Sequence, residues 1–94
     1  MRLRARIDSN QPEIALALRQ VGCSVEFLHQ VGRGVPDLLV YAPMIGKTLL
    51  IEVKVPGEKL SPDEARWHAA WRGEVYVIDS VEEALACVGV EVIA

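Results

Sequence analysis

Two short apolar runs stand close together in the chain, Gly34-Val35-Pro36-Asp37-Leu38-Leu39-Val40 and Leu49-Leu50-Ile51-Glu52-Val53-Lys54-Val55. Runs of this length, rich in Leu, Val and Ile and bounded by Gly, Pro or Lys, predict buried strands, here Leu38 to Ala42 and Thr48 to Val55. Three charges interrupt them. Ionised groups inside an apolar sheet cost several kcal/mol unless paired or bound to a metal, so Asp37, Glu52 and Lys54 need a chemical reason to be there. Strand alternation puts Glu52 and Lys54 on one face, with Ile51, Val53 and Val55 on the other. If the strands form an antiparallel hairpin, a four-residue loop from Pro43 to Gly46 sets Asp37 opposite Glu52, whereas a five-residue loop turns Asp37 to the other face. A site with two carboxylates and one lysine therefore needs an even loop or a bulge.

The rest of the pattern places this hairpin in an α-β-β-β-α-β-α-β order. A helix begins at Asn10, with Glu13 three residues on and Pro12 in its first turn, and stops at Gly22. Its stripe is Ile14, Ala17, Leu18 and Val21, and Glu13 at the edge either caps the helix or reaches inward. Cys23 to Gln30 alternates as a strand before the glycine-rich turn Val31-Gly32-Arg33-Gly34. Ser61-Pro62-Asp63-Glu64 is a capping box that opens a helix running to about Arg72, with Glu64, Trp67, His68 and Trp71 on one face. Val75 to Ile78 predicts another strand, Ser80 to Val88 a last helix, and Val90 to Ile93 a final edge strand. Residues 1–8 read as an arm or edge strand, with Arg2, Arg4 and Arg6 sharing a face.

Composition narrows the setting. Ninety-four residues, 51% hydrophobic and 24% charged, make one domain, residues 1–94, with one core and room for one site. The absence of a signal-length apolar run predicts a soluble, intracellular, cytoplasmic protein without a membrane segment. Cys23 and Cys87, with no CxxC and no nearby His, read as reduced thiols. A net charge of −3 argues against a broad electrostatic grip on nucleic acid. It leaves room for a local one, in which Arg33, Lys47, Lys59 and Arg66 contact phosphates beside a metal-bearing acidic site.

An Asp, fourteen intervening residues and then Glu-x-Lys meet the needs of metal-assisted phosphodiester hydrolysis. Two carboxylates hold Mg²⁺ with room for water and a phosphate oxygen, and the lysine activates or orients the water. A structural Glu–Lys pair on a sheet edge has the same residue types, so the spacing by itself leaves both readings open. Three motifs together, Gly34-Val35-Pro36-Asp37-Leu38-Leu39-Val40, Leu50-Ile51-Glu52-Val53-Lys54 and Leu60-Ser61-Pro62-Asp63-Glu64-Ala65-Arg66-Trp67-His68, resemble the virus-type replication–repair nuclease (VRR-NUC) domain of the PD-(D/E)XK nucleases. The resemblance spans roughly residues 10 to 80. It implies a restriction-endonuclease-like α/β fold, a central mixed sheet flanked by helices. It further implies Asp37, Glu52 and the Val53 carbonyl as ligands of Mg²⁺ or Mn²⁺, Lys54 as the catalytic lysine, and Glu13 as the first-helix acid. The family usually carries Gln where this chain has Glu64, a catalytic candidate on the site-facing helix, and the change adds negative charge where a phosphate must approach.

The leading expectation is a divalent-metal-dependent DNA endonuclease of phage type, acting on branched or four-way DNA as a homodimer. The alternative is a non-catalytic nucleic-acid-binding or protein-interaction module that keeps the fold. His68 reads as a packing or phosphate-contacting residue rather than a general base, since Lys54 already fills that role. Trp67 and Trp71 read as core or subunit-interface residues rather than base-stacking platforms.

Overall fold

The hairpin forms through the four-residue connection, and it is the centre of the sheet. In the computed structural model, which describes residues 10–91, the elements run α1 (Gln11–Gln20), β1 (Ser24–Phe27), β2 (Leu38–Ala42), β3 (Lys47–Val53), α2 (Pro62–Ala70), β4 (Val75–Ile78) and α3 (Val81–Cys87). The sheet order is β1-β2-β3-β4. The first two pairings are antiparallel, and β4 joins β3 in parallel. A parallel neighbour needs a crossover rather than a tight turn, and α2 lies within it. The mixed α/β architecture expected from the sequence is the one observed. The predicted arm at 1–8 lies outside the described residues, as does the end of the predicted strand at 90–93; Val90 and Glu91 themselves are in no strand.

Alternation divides the sheet into two unlike faces. Leu38, Val40 and Ala42 of β2 and Leu49, Ile51 and Val53 of β3 are buried against Ile14 and Leu18 of α1 and Ala84 and Val88 at α3. The register Leu39↔Leu50 and Tyr41↔Thr48 sends the intervening residues to the other side. There Leu39, Tyr41 and Val77 stay exposed, and no residue of α2 is buried.

Local departures from expectation have physical causes. Asn10 precedes α1 in a helical conformation and makes no side-chain cap; its amide instead donates to the Lys54 carbonyl at 3.0 Å, tying the start of α1 to the end of β3. The buried stripe is Gln11, Ile14, Ala15 and Leu18, one position round from the expected one, because α1 packs on both the sheet and α3. β1 ends at Phe27, where the Leu28 N–H turns to the Asp37 carbonyl and the Val31 N–H closes a turn on Leu28. Helix α2 stops at Ala70, and its tryptophans lie outside the core: Trp67 and Trp71 stack on each other with centroids 4.7 Å apart, and Trp71 is 46% exposed. Among the described residues, no helix is long and apolar enough to cross a membrane.

Candidate active site

Carrying the hairpin register one pair past Leu38↔Ile51 sets Asp37 opposite Glu52, on the face that β2 and β3 turn away from the core. Buried Pro36 fixes the approach to Asp37. One turn earlier, Gly34 has φ +84° and runs so close to α2 that a Cβ there would lie 2.4 Å from the Asp63 carbonyl oxygen. Only glycine lets this loop lean on the helix start. The Val53 N–H then donates to Asp37 Oδ2 at 2.7 Å, which locks the acid across the strand pair.

Asp37, Glu52, Lys54 and Glu64 line one cavity of about 290 Å³. Glu52 is 2% exposed and Lys54 7% exposed, so these charges are withdrawn from water. The Lys54 ammonium lies 2.7 Å from Glu64 Oε1, 3.4 Å from Glu52 Oε2 and 4.0 Å from Glu58 Oε2. Glu64 Oε1 also accepts the Ser61 N–H at 2.8 Å, while Ser61 Oγ accepts the Glu64 N–H at 3.2 Å. The predicted capping box is present, and its acid has a second task at the lysine.

Electrostatics separate the carboxyls. Burial, reinforced by the charges of Asp37 and Glu64, pushes Glu52 up from 4.5 to about 9 despite the opposing pull of Lys54. Burial likewise disfavours the Lys54 ammonium, but its bond to Glu64 and the charges of Glu52, Glu64 and Glu58 outweigh that and raise its pKa. Burial also works against ionised Glu64, and there the bonds from Lys54 and Ser61 prevail and lower the value. The site thus pairs a charged lysine with a charged Glu64, and Glu52 is the carboxyl whose ionisation burial and its acidic neighbours oppose most. Among the described residues the Lys54 ammonium, 3.4 Å from Glu52 Oε2, is the one neighbour that favours the ionised form of that acid.

The donors fit a hard divalent cation. Glu52 Oε1 is buried with no hydrogen-bond partner, and such an oxygen costs about 1–3 kcal/mol until something satisfies it. Magnesium and manganese favour oxygen ligands. Among the described residues, no three His, Cys, Asp or Glu side chains converge as a cation cage, so carboxylates here must be supplemented by neutral oxygens.

The other sequence candidates divide by position. Glu13 is exposed and lines a separate cavity with Asp79 and Glu82 at the start of α3, and the α1 residue lining the acidic cavity is Gln11. Arg33 is exposed on the glycine loop at φ +58°, and Lys59 is exposed in the connection before α2. Arg66 is exposed and paired with Asp63. Lys47 lies at the far end of β3, 3.0 Å from Glu74. His68 is half-buried at the edge of the Trp67 ring and does not line the cavity. The reading from residues alone also missed His29, which does line it. Its only sequence signal is its place just before the glycine loop.

A family model described as the VRR-NUC domain matches residues 4–89. The chain is 40% identical over 79 residues to a protein named "Putative nuclease p44" from Acyrthosiphon pisum secondary endosymbiont phage 1, across 80% of this chain and 84% of that one. It is also similar to a solved structure described as a VRR_NUC domain, with a TM-score of 0.68 and 30% identity over 83% of this chain and 88% of the other.

Proposed function

The chain belongs to the VRR-NUC domain family and is by that membership a nuclease, and from this premise we propose that it is a divalent-metal-dependent DNA endonuclease acting on branched DNA. The observation that carries the reading is the meeting of Asp37, Glu52 and Lys54 in one cavity. Phosphodiester hydrolysis needs a water aimed at phosphorus and relief of the charge that builds on the phosphate oxygens. Asp37 and Glu52, with the Val53 carbonyl, would hold Mg²⁺ or Mn²⁺, which when bound supplies Lewis acidity and a more acidic water.

The protein's own groups do the positioning. Lys54 keeps its proton in the cavity, and Glu64 at 2.7 Å fixes the ammonium where it can orient the water or a phosphate oxygen. Ser61 holds Glu64 from behind, so the helix start and the lysine are one unit. Arg33, Lys59 and Arg66, all exposed, are suited to flanking phosphates. Lys47 lies seven residues from Lys54, about 23 Å along an extended strand, and meets only a substrate that reaches the hairpin turn.

Branched DNA needs two cuts for symmetric resolution, and a two-fold dimer supplies two sites. What supports a dimer is the uncovered sheet face, where Leu39, Tyr41 and Val77 are exposed with Trp71 nearby. The test is a cleavage panel of linear, flapped and four-way DNA with Mg²⁺, Mn²⁺ or EDTA. Metal-dependent cutting that favours branched substrates is expected. DNA binding without cutting under every condition would instead favour a non-catalytic module.

A further inference from the structure

Two oxygens that share the acidic cavity lack hydrogen-bond partners, and only one of them belongs to an acid. Gln11 is 2% exposed, lines the cavity with Glu52 and Lys54, and its Oε1 is buried with no partner. Glu52 Oε1 is in the same condition. A buried acceptor left unsatisfied costs about 1–3 kcal/mol, so a protein that keeps two of them in one cavity needs a ligand that satisfies both. Among carboxylates, a phosphate is the wrong sign for bare acceptors. A hydrated cation has the right one, because metal-bound waters present strong donors outward and Mg²⁺ keeps several of them.

We propose that Gln11 is a positioning residue of the cation site: its amide oxygen accepts a hydrogen bond from a water carried by the divalent ion that Asp37 and Glu52 hold. The placement of α1 agrees, because the neighbouring Asn10 amide donates to the Lys54 carbonyl at 3.0 Å and pins the helix start just past the end of β3, the strand that carries Glu52. Choosing an amide over an acid also limits charge. Asp37, Glu52, Glu58 and Glu64 already line the cavity against Lys54, and one more carboxylate would oppose an incoming phosphate. This role on α1 was expected of Glu13, which is exposed and lines a different cavity.

The inference rests on the metal-site reading above, and its test keeps the two separable. Mn²⁺ affinity is measured by calorimetry for the wild type, Gln11→Leu, Gln11→Glu and Asp37→Asn, with thermal unfolding recorded with and without Mn²⁺. Gln11→Leu should weaken Mn²⁺ binding by about tenfold or more, as loss of an outer partner of a bound metal does. Its metal-free melting temperature should hold or rise, because an unsatisfied buried acceptor is gone; a merely structural glutamine would show the reverse. Gln11→Glu should bind Mn²⁺ more tightly than the wild type. Wild-type affinity in Gln11→Leu overturns the proposal, and if that variant fails to fold, wild-type or weaker affinity in Gln11→Glu does so. Undiminished binding in Asp37→Asn would overturn the metal-site reading itself, whereas lost binding there beside unchanged binding in Gln11→Leu removes only the role of Gln11.

Discussion

The Lys54 ammonium lies 2.7 Å from Glu64 Oε1, the same oxygen that accepts the Ser61 N–H at the start of α2. One carboxylate therefore serves helix and site together. Glu64→Gln separates these tasks, since a glutamine oxygen still accepts from Ser61 while the charge beside Lys54 disappears. The variant should fold, with thermal melting close to wild type, and should keep nuclease activity with an altered Mg²⁺ to Mn²⁺ preference. Loss of the fold would show that the charge on Glu64 is chiefly structural.

Lys54→Ala and Asp37→Asn should differ in kind. In the proposed mechanism Lys54 positions a reactant, so its loss should remove most cleavage, on the order of a hundredfold or more, and leave metal binding intact. Asp37 is held by the Val53 N–H and faces Glu52, so Asp37→Asn should lose metal binding and cleavage together. Calorimetry and single-turnover cleavage on both variants check this, and unchanged metal affinity in Asp37→Asn contradicts it.

The metal-free protein should lose stability as pH rises from about 4.5 toward about 9. Glu52 is raised in the folded state, so across that window the native protein binds a proton that the unfolded chain has released. Stability from such a group is complete below 4.5 and declines up to the folded value. Glu64, shifted downward, acts oppositely, and its contribution is lost only as the pH falls below the ordinary carboxylate range. Glu52→Gln should flatten the alkaline decline in urea-unfolding profiles. A wild-type profile that rises from pH 5 to pH 9 contradicts the assignment.

The proposed dimer would use the part of the sheet face where Leu39, Tyr41 and Val77 are exposed. At micromolar concentration light scattering should return about twice the 10.3 kDa chain mass. Trp71→Glu places a charge among Leu39, Leu50 and the exposed apolar face and should shift the equilibrium to monomer. A wild-type monomer that produces only single-strand nicks removes the dimer.

The centre of the fold was legible because it depends on parity. Strand alternation alone puts Glu52 and Lys54 on one face, but the pattern leaves a four-residue and a five-residue loop both open, and it is the observed loop Pro43 to Gly46 that puts Asp37 opposite Glu52. What escaped depends on contacts between elements. Gln11 looks like a polar helix start, and only its spacing of three, four and seven to Ile14, Ala15 and Leu18 marks it as part of the buried stripe. Asn10 has the residue type of a cap, yet its amide is taken by Lys54 on a distant strand. The shared face of Trp67 and Trp71 was visible in their spacing, but periodicity cannot say that α2 would stand off the core and stack them on each other.

The proposed chemistry turns on Asp37 and Glu52 holding one divalent ion in the cavity beside Lys54. Crystals grown with Mn²⁺ and measured at an energy where manganese scatters anomalously locate that ion without reference to activity. A single strong peak within roughly 2.0–2.6 Å of oxygens from both Asp37 and Glu52 is the result expected. A peak elsewhere, or none in crystals of a protein that still cuts DNA under the same Mn²⁺ concentration, would contradict the account.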